Sequence, residues 1–191
     1  MRGPLRFHPS GLTRQKGSKT MAQMWEQRSV WKGLVSGLVG GFVGSWTMNE
    51  FQKGWDKAAN AMSDGKPKKK EEPAEYPTAK TAQAIAKTIV RKPLTQEQKR
   101  KAGPIVHYTF GTLLGGLYGA TSEFVPTFRT AGGVPYGAAV FAAADEVALP
   151  ALKLAKWAPE YPVSRHMYGL SSHIVWSTTT EAVRRLMRWA L

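Results

Sequence analysis

Glycine recurs at every fourth residue in the stretch after Lys32. Gly33, Gly37 and Gly41 make one row, and Ser36, Gly40 and Gly44 a second. The spacing returns at Gly111, Gly115 and Gly119, beside Thr112, Gly116 and Ala120, and starts again at Gly133 and Gly137. Residues four apart share one face of an α-helix. In a helix surrounded by water each interior glycine costs about 0.8–1.0 kcal/mol relative to alanine, so such rows are self-defeating there. In lipid, small residues four apart let two helix backbones approach closely, and packing drives association. A flexible Gly-rich linker seldom interleaves Leu, Val and Phe as these rows do. The pattern therefore predicts close helix packing through Gly33, Gly37, Gly41, Gly111, Gly115 and Gly119.

The rows lie in uncharged runs. Seventeen residues separate Lys32 from Glu50 and twenty-one separate Lys101 from Glu123. Fifteen more run from Thr130 to Ala144, and fourteen from Met167 to Thr180. A membrane helix needs about 20 mostly apolar residues. The first two runs reach that length, and the last two do so only by carrying acids with them. Trp25, Trp31, Trp46 and Trp55 bracket the first run, Tyr108 and Tyr118 the second, and Trp157, Tyr161, Tyr168 and Trp189 border the others, as aromatic belts do at membrane surfaces. The expected fold is all-α, a four-helix polytopic membrane bundle with helices over about 32–52, 104–123, 132–154 and 166–188.

Charge is segregated from these runs. The chain has 27 Lys and Arg against 13 Asp and Glu, a net +14 that by itself suggests nucleic acid. Yet residues 1–32 hold seven of the basic residues and one acid, and residues 53–101 hold thirteen basic and six acidic. A basic arm over 1–30, disordered or weakly ordered, and a connector over 53–103 thus carry nearly all of it. The arm has no apolar core of a signal peptide; it reads as a cytoplasmic arm or as residues upstream of a start at Met21 or Met24. Within the connector, Ala82, Ile85, Ala86, Ile89 and Val90 fall at helical spacing with Lys80, Lys87 and Arg91 elsewhere on the wheel. That short basic helix either lies on anionic lipid or docks on the bundle. Thr95 and Gln98 form a capping box for a short helix ending at Gly103-Pro104, where Pro104 opens the next. Lys68, Lys69, Lys70, Lys80, Lys87 and Arg91 are the expected headgroup contacts, and no nucleic-acid partner is expected. The Lys/Arg bias of the arm and of Arg184, Arg185 and Arg188 places both termini in the cytoplasm, but it asks the same of the connector, which a single intervening span forbids.

Ionisable residues within apolar helices are candidates for an ion or proton path. Here these are Asp145, Glu146, His173, Glu181, His107 and Glu123. His107 and Glu123 are 16 residues apart, about 24 Å along a helix, and cannot act on one ion. Glu50, His107 and Glu123 also suit the bland role of polar residues at a membrane surface. Glu181 has Arg184 and Arg185 at i+3 and i+4, the spacing of helical ion pairs. There is no cysteine, no metal-ligand spacing, no phosphate loop and no nucleophile–base pair. No cofactor, metal or catalytic activity is expected.

Two segments resemble YagU-like bacterial inner-membrane proteins. One is HYTFGTLLGGLYGATSEFVP, with His107, Phe110, Tyr118, Glu123 and Pro126. The other is SSHIVWSTTTEAVRRLMR, with His173, Trp176, Glu181 and the Arg184-Arg185 pair. The likeness covers mainly residues 104–188, with a weaker echo in GLVSGLVGGFV. It implies a multi-pass inner-membrane protein of a family without an established activity, so no catalytic residue carries over. Asp145-Glu146 and the lysine-rich connector depart from the family pattern. The leading expectation is a structural or accessory membrane protein, able to handle protons, that binds anionic lipid and associates with itself or a membrane partner. The alternatives are a small proton or cation transporter or channel, and a soluble basic nucleic-acid-binding protein.

Overall fold

The computed structural model describes residues 29–62 and 76–191. The N-terminal arm with Met21, Met24 and Trp25, and the lysines Lys68, Lys69 and Lys70, lie outside the described residues. Every element among the described residues is helical: α1 (Val30–Ala61), α2 (Pro77–Ile89), α3 (Gln96–Ser122), α4 (Val134–Phe141) and α5 (Val163–Ala190).

Ser29 starts α1, its hydroxyl accepting from the Lys32 N–H at 3.3 Å. The helix runs on to Ala61, through residues expected in the connector, and Gly54 within it does not break it. At α3 the Thr95–Gln98 capping box forms in both directions, at 2.8 and 3.2 Å. The helix does not end at Gly103-Pro104, however; Pro104 sits inside a single helix of 27 residues. A proline in the interior removes one i→i−4 hydrogen bond, and here a long helix absorbs that loss. Gly103 leaves room for α2, whose Thr78 and Ala79 lie against it.

The third expected helix is the one the structure changes most. The chain turns from α3 through a 3-10 segment, Pro126–Gly133, where Ala131, Gly132 and Gly133 all have positive φ. It then enters α4 and passes into a π-helical turn, Ala142–Ala148, before a last α turn, Leu149–Ala151. Pro150 supplies a cause. It has no N–H to give the Glu146 carbonyl, and its ring crowds that carbonyl. The turn widens instead, and the Leu149 N–H reaches back five residues to Ala144. Asp145 and Glu146 lie in this widened turn.

The long elements alternate in direction. Gly33 at the start of α1 meets Gly119 near the end of α3, and the Lys32 ammonium donates to the Leu191 carbonyl at 2.7 Å. At the opposite end Trp55 stacks edge-on against Tyr168, early in α5. Thus α1 runs away from what we term the near end, α3 returns, the α4 segment runs away and α5 returns. Both ends of the described chain from Ser29 to Leu191 lie at the near end. A compact aromatic core of Tyr118, Tyr136 and Trp176, with Met48, fills the centre.

The interior is otherwise small and polar. Ser36, Ser45, Ser122, Ser172, Ser177 and Thr180 are buried, while Phe42, Trp46, Phe110, Leu113 and Leu117 are exposed. Taken one at a time, no helix among the described residues is long and apolar enough to cross a membrane. The uncharged runs satisfied a length criterion, but Gly, Ser and Thr dilute their hydropathy. The short connector helix also divides what its periodicity joined. Ala79, Ala82 and Ala86 are buried, and Ile85, Ile89 and Val90 are exposed.

Candidate functional site

Ionic residues gather at the near end. Glu181, on α5, is 1% exposed and accepts four hydrogen bonds. One oxygen takes the Tyr118 hydroxyl at 2.8 Å and the Arg184 Nε at 2.6 Å. The other takes Arg184 Nη2 at 3.0 Å and Arg185 Nε at 2.6 Å. A carboxylate has about four lone-pair sites, so Glu181 is saturated as the anion and has no room for a proton. Its carboxylate is an anchor between α3 and α5 rather than a carrier. Both arginines come from the i+3 and i+4 positions the sequence offered.

Glu123 does not sit in water at a helix end, as its bland reading held. It is 7% exposed, with Arg184 Nη1 at 3.5 Å and Arg188 Nε at 3.1 Å from one oxygen. Its stem passes over Gly33, where any side chain would collide with it. Glycine at that position thus serves the carboxylate as well as the helix contact. Among the described residues the cluster joins two acids to three arginines, Arg184, Arg185 and Arg188.

A second group lies at the far end, on the π-helical turn. Glu146 meets His166 Nδ1 at 2.8 Å, and His166 Nε2 lies 3.1 Å from the Ala158 carbonyl. Both ring nitrogens face acceptors, an arrangement only the doubly protonated imidazolium satisfies. His173 Nδ1 donates to the Gly169 carbonyl at 2.9 Å and lies 4.0 Å from Asp145. That separation gives charge proximity and not a hydrogen bond. Only the Glu146–His166 pair is in direct hydrogen-bond contact. His107 joins neither by a hydrogen bond, and its Nε2 is buried without a partner among the described residues.

The six residues expected to form one path therefore do not converge. Asp145, Glu146 and His173 are at the far end, with Glu181 and Glu123 at the near end. Eight residues, about 12 Å of helix, separate His173 from Glu181, and the aromatic core stands at the level between them. No group of three or more His, Asp or Glu among the described residues could hold a metal ion.

The packing glycines meet face to face. A Cβ on Gly37 or Gly41 would strike the backbone of α3 at Gly115 and Gly119, or at Gly111 and Gly115. The second row turns to α5. Gly40 lies against the Thr180 backbone and Gly44 against Trp176, and the Trp176 indole N–H and Thr180 hydroxyl donate to the Gly41 and Gly40 carbonyls, each at 3.3 Å. On the α4 side Gly137 packs on His173 and Ser177. Among the expected headgroup contacts, Lys80, Lys87 and Arg91 are exposed on α2 and its end.

Three contributors had no sequence signal of their own. Tyr118 looked like a belt residue, yet it is 1% exposed and bonded to Glu181. His166 could have been suspected only from its acidic partner 20 residues away. Arg188 reaches Glu123 across 65 residues. Contacts at such separations follow from the fold alone.

A helical bundle organised around glycine contacts and a saturated buried carboxylate is the class the fold defines. The chain belongs to the DUF1440 family, described as proteins of unknown function, whose model matches residues 65–182. No curated protein and no solved structure matches it.

Proposed function

We propose that this chain is a multi-pass helical bundle of a bacterial inner membrane, YagU-like, with a structural or accessory role. Its partners on this reading are the bilayer, anionic lipid headgroups and other membrane proteins, itself included. The observation that supports it is the inversion of burial. The interior holds serines, Thr180, Glu181 and Arg184, while Val39, Phe42, Phe110, Leu113 and Leu117 are on the outside. In water that distribution discards the hydrophobic effect, which contributes about 25 cal/mol for each Å² of apolar surface buried. In hydrocarbon it is the favourable one, because polar groups must find partners inside the protein.

The low hydropathy of the single helices is consistent with this. Hydropathy averages a helix around its circumference, and here the polar part of each circumference faces its neighbours. Two exposed tryptophans on α1 set a scale. Trp31 and Trp55 are 24 residues apart, about 36 Å of helix, against a hydrocarbon core of about 30 Å. Trp189 is exposed at the near end and Trp157 at the far end.

The discriminating experiment is extraction of the expressed chain from membranes. The expected result is retention through high salt and alkaline carbonate with release by mild detergent. Release by salt or carbonate alone would sink the proposal in favour of a peripheral or nucleic-acid-bound basic protein.

A further inference from the structure

At the near end, outside the saturated Glu181, an open depression of about 360 Å³ is lined by Pro126, Arg129, Thr130, Glu181, Arg184 and Arg185. Arg184 and Glu181 are committed to each other. Arg185 spends Nε on Glu181 and turns Nη2 to the Arg129 carbonyl at 3.5 Å, leaving Nη1 without a hydrogen-bond partner among the described residues. The Arg129 guanidinium has no carboxylate within salt-bridge distance among the described residues. Among the described residues, three arginines of the lining (Arg129, Arg184 and Arg185) face one lining carboxylate, Glu181, so positive charge is in excess on this concave surface.

Guanidinium groups are held in this way for anions that accept from several directions at once. Their planar forks match phosphate oxygens, and charge-assisted bonds of this kind are about twice as strong as neutral ones. The depression is also open and of the size of small-ligand sites, about 300–1,000 Å³. Its flanks are apolar: Phe124 and Val125 precede Pro126, Leu186 follows Arg185, and all three are exposed. Cationic groups with exposed apolar residues beside them suit a ligand that carries its phosphate at the end of a hydrocarbon body.

We propose that Arg129 and Arg185 form a phosphate-binding site at the near end of the bundle. Its ligand is the phosphate group of an anionic phospholipid or of a free phosphate species. Only the lipid source rests on the membrane reading above.

Arg129→Gln is the test variant, because the half-buried Arg129 side chain makes no ion pair among the described residues. Arg100→Gln, an exposed arginine of the far end on the first turns of α3 and outside the expected headgroup contacts, is the control. The full chain in mild detergent is titrated with phosphatidylglycerol, with phosphatidylcholine and, separately, with inorganic phosphate, and complexes are read by native mass spectrometry and thermal shift. The expected result is phosphatidylglycerol binding weakened about tenfold by Arg129→Gln, the scale of one charge-assisted hydrogen bond, and unchanged by Arg100→Gln. An Arg129-dependent shift with inorganic phosphate but not with lipid supports the site with a soluble ligand. It does so even for a chain that carbonate releases from membranes, in which case the membrane reading falls and the site stands. Equal binding of wild type and Arg129→Gln to both ligands overturns the proposal.

Discussion

Glu181 carries the sharpest consequence of any single residue. Buried ion pairs add little net stability, because desolvation offsets attraction, but breaking one strands its partner. Removing the Glu181 carboxylate leaves the Arg184 guanidinium, 4% exposed, without its main acceptor. Glu181→Ala is therefore expected to destabilise the bundle by about 3–5 kcal/mol. Glu181→Ala with Arg184→Met, which removes both charges, is expected to recover most of that loss. Denaturant titration of the three chains checks it; a single variant as stable as wild type would show that the cluster is solvated. Half of this cluster was legible in the sequence, since a glutamate followed by two arginines one turn on is local information. Tyr118, Glu123 and Arg188 were not, because their contacts depend on where α3 and α5 stop beside each other.

At the scale of helices, the four-residue spacing of glycine was the legible part, and the choice of partner was not. The sequence shows two rows on α1; only the fold assigns Gly33, Gly37 and Gly41 to α3 and Gly40 and Gly44 to α5. The rows differ from Gly54 on the same helix, around which a Cβ would meet nothing within 4 Å. This separates propensity from packing within one element. Gly54→Ala is expected to stabilise by about 0.8–1.0 kcal/mol, the helix-propensity gain. Gly37→Ala gains the same propensity, yet it is expected to destabilise by about 1–3 kcal/mol net, because its Cβ overlaps α3 backbone and forces the pair apart. Opposite signs in thermal unfolding are the expected readout, and the same sign for both would mean that α1 and α3 do not touch in solution. The π-helical turn was illegible for a different reason. Pro150 announces a disturbed helix, but not whether the chain kinks, stops or widens, and tertiary packing makes that choice.

For the molecule as a whole, the positions of the charges revise the orientation that the Lys/Arg bias gave. The arm and the arginines of α5 argued for cytoplasmic termini, and the connector argued against. Among the described residues the near end holds Lys32, Arg129, Arg184, Arg185 and Arg188. At the far end Lys87, Arg91, Lys92, Arg100, Lys153 and Lys156 are on or beside exposed turns and helix ends. The bias counts Lys and Arg near the ends of spans, and acids contribute little to it. The far end is thus expected in the cytoplasm, with Leu191 on the opposite face. The absence of cysteine makes the test clean, because an introduced thiol is the sole target for a maleimide. Gly54→Cys marks the far end at a position with no neighbours, and Leu191→Cys marks the near end at an exposed residue. With a membrane-impermeant maleimide on intact spheroplasts, Leu191→Cys is expected to label at once and Gly54→Cys only after permeabilisation. The reverse pattern would return the termini to the cytoplasm, and equal labelling of both would mean that the bundle does not cross the bilayer.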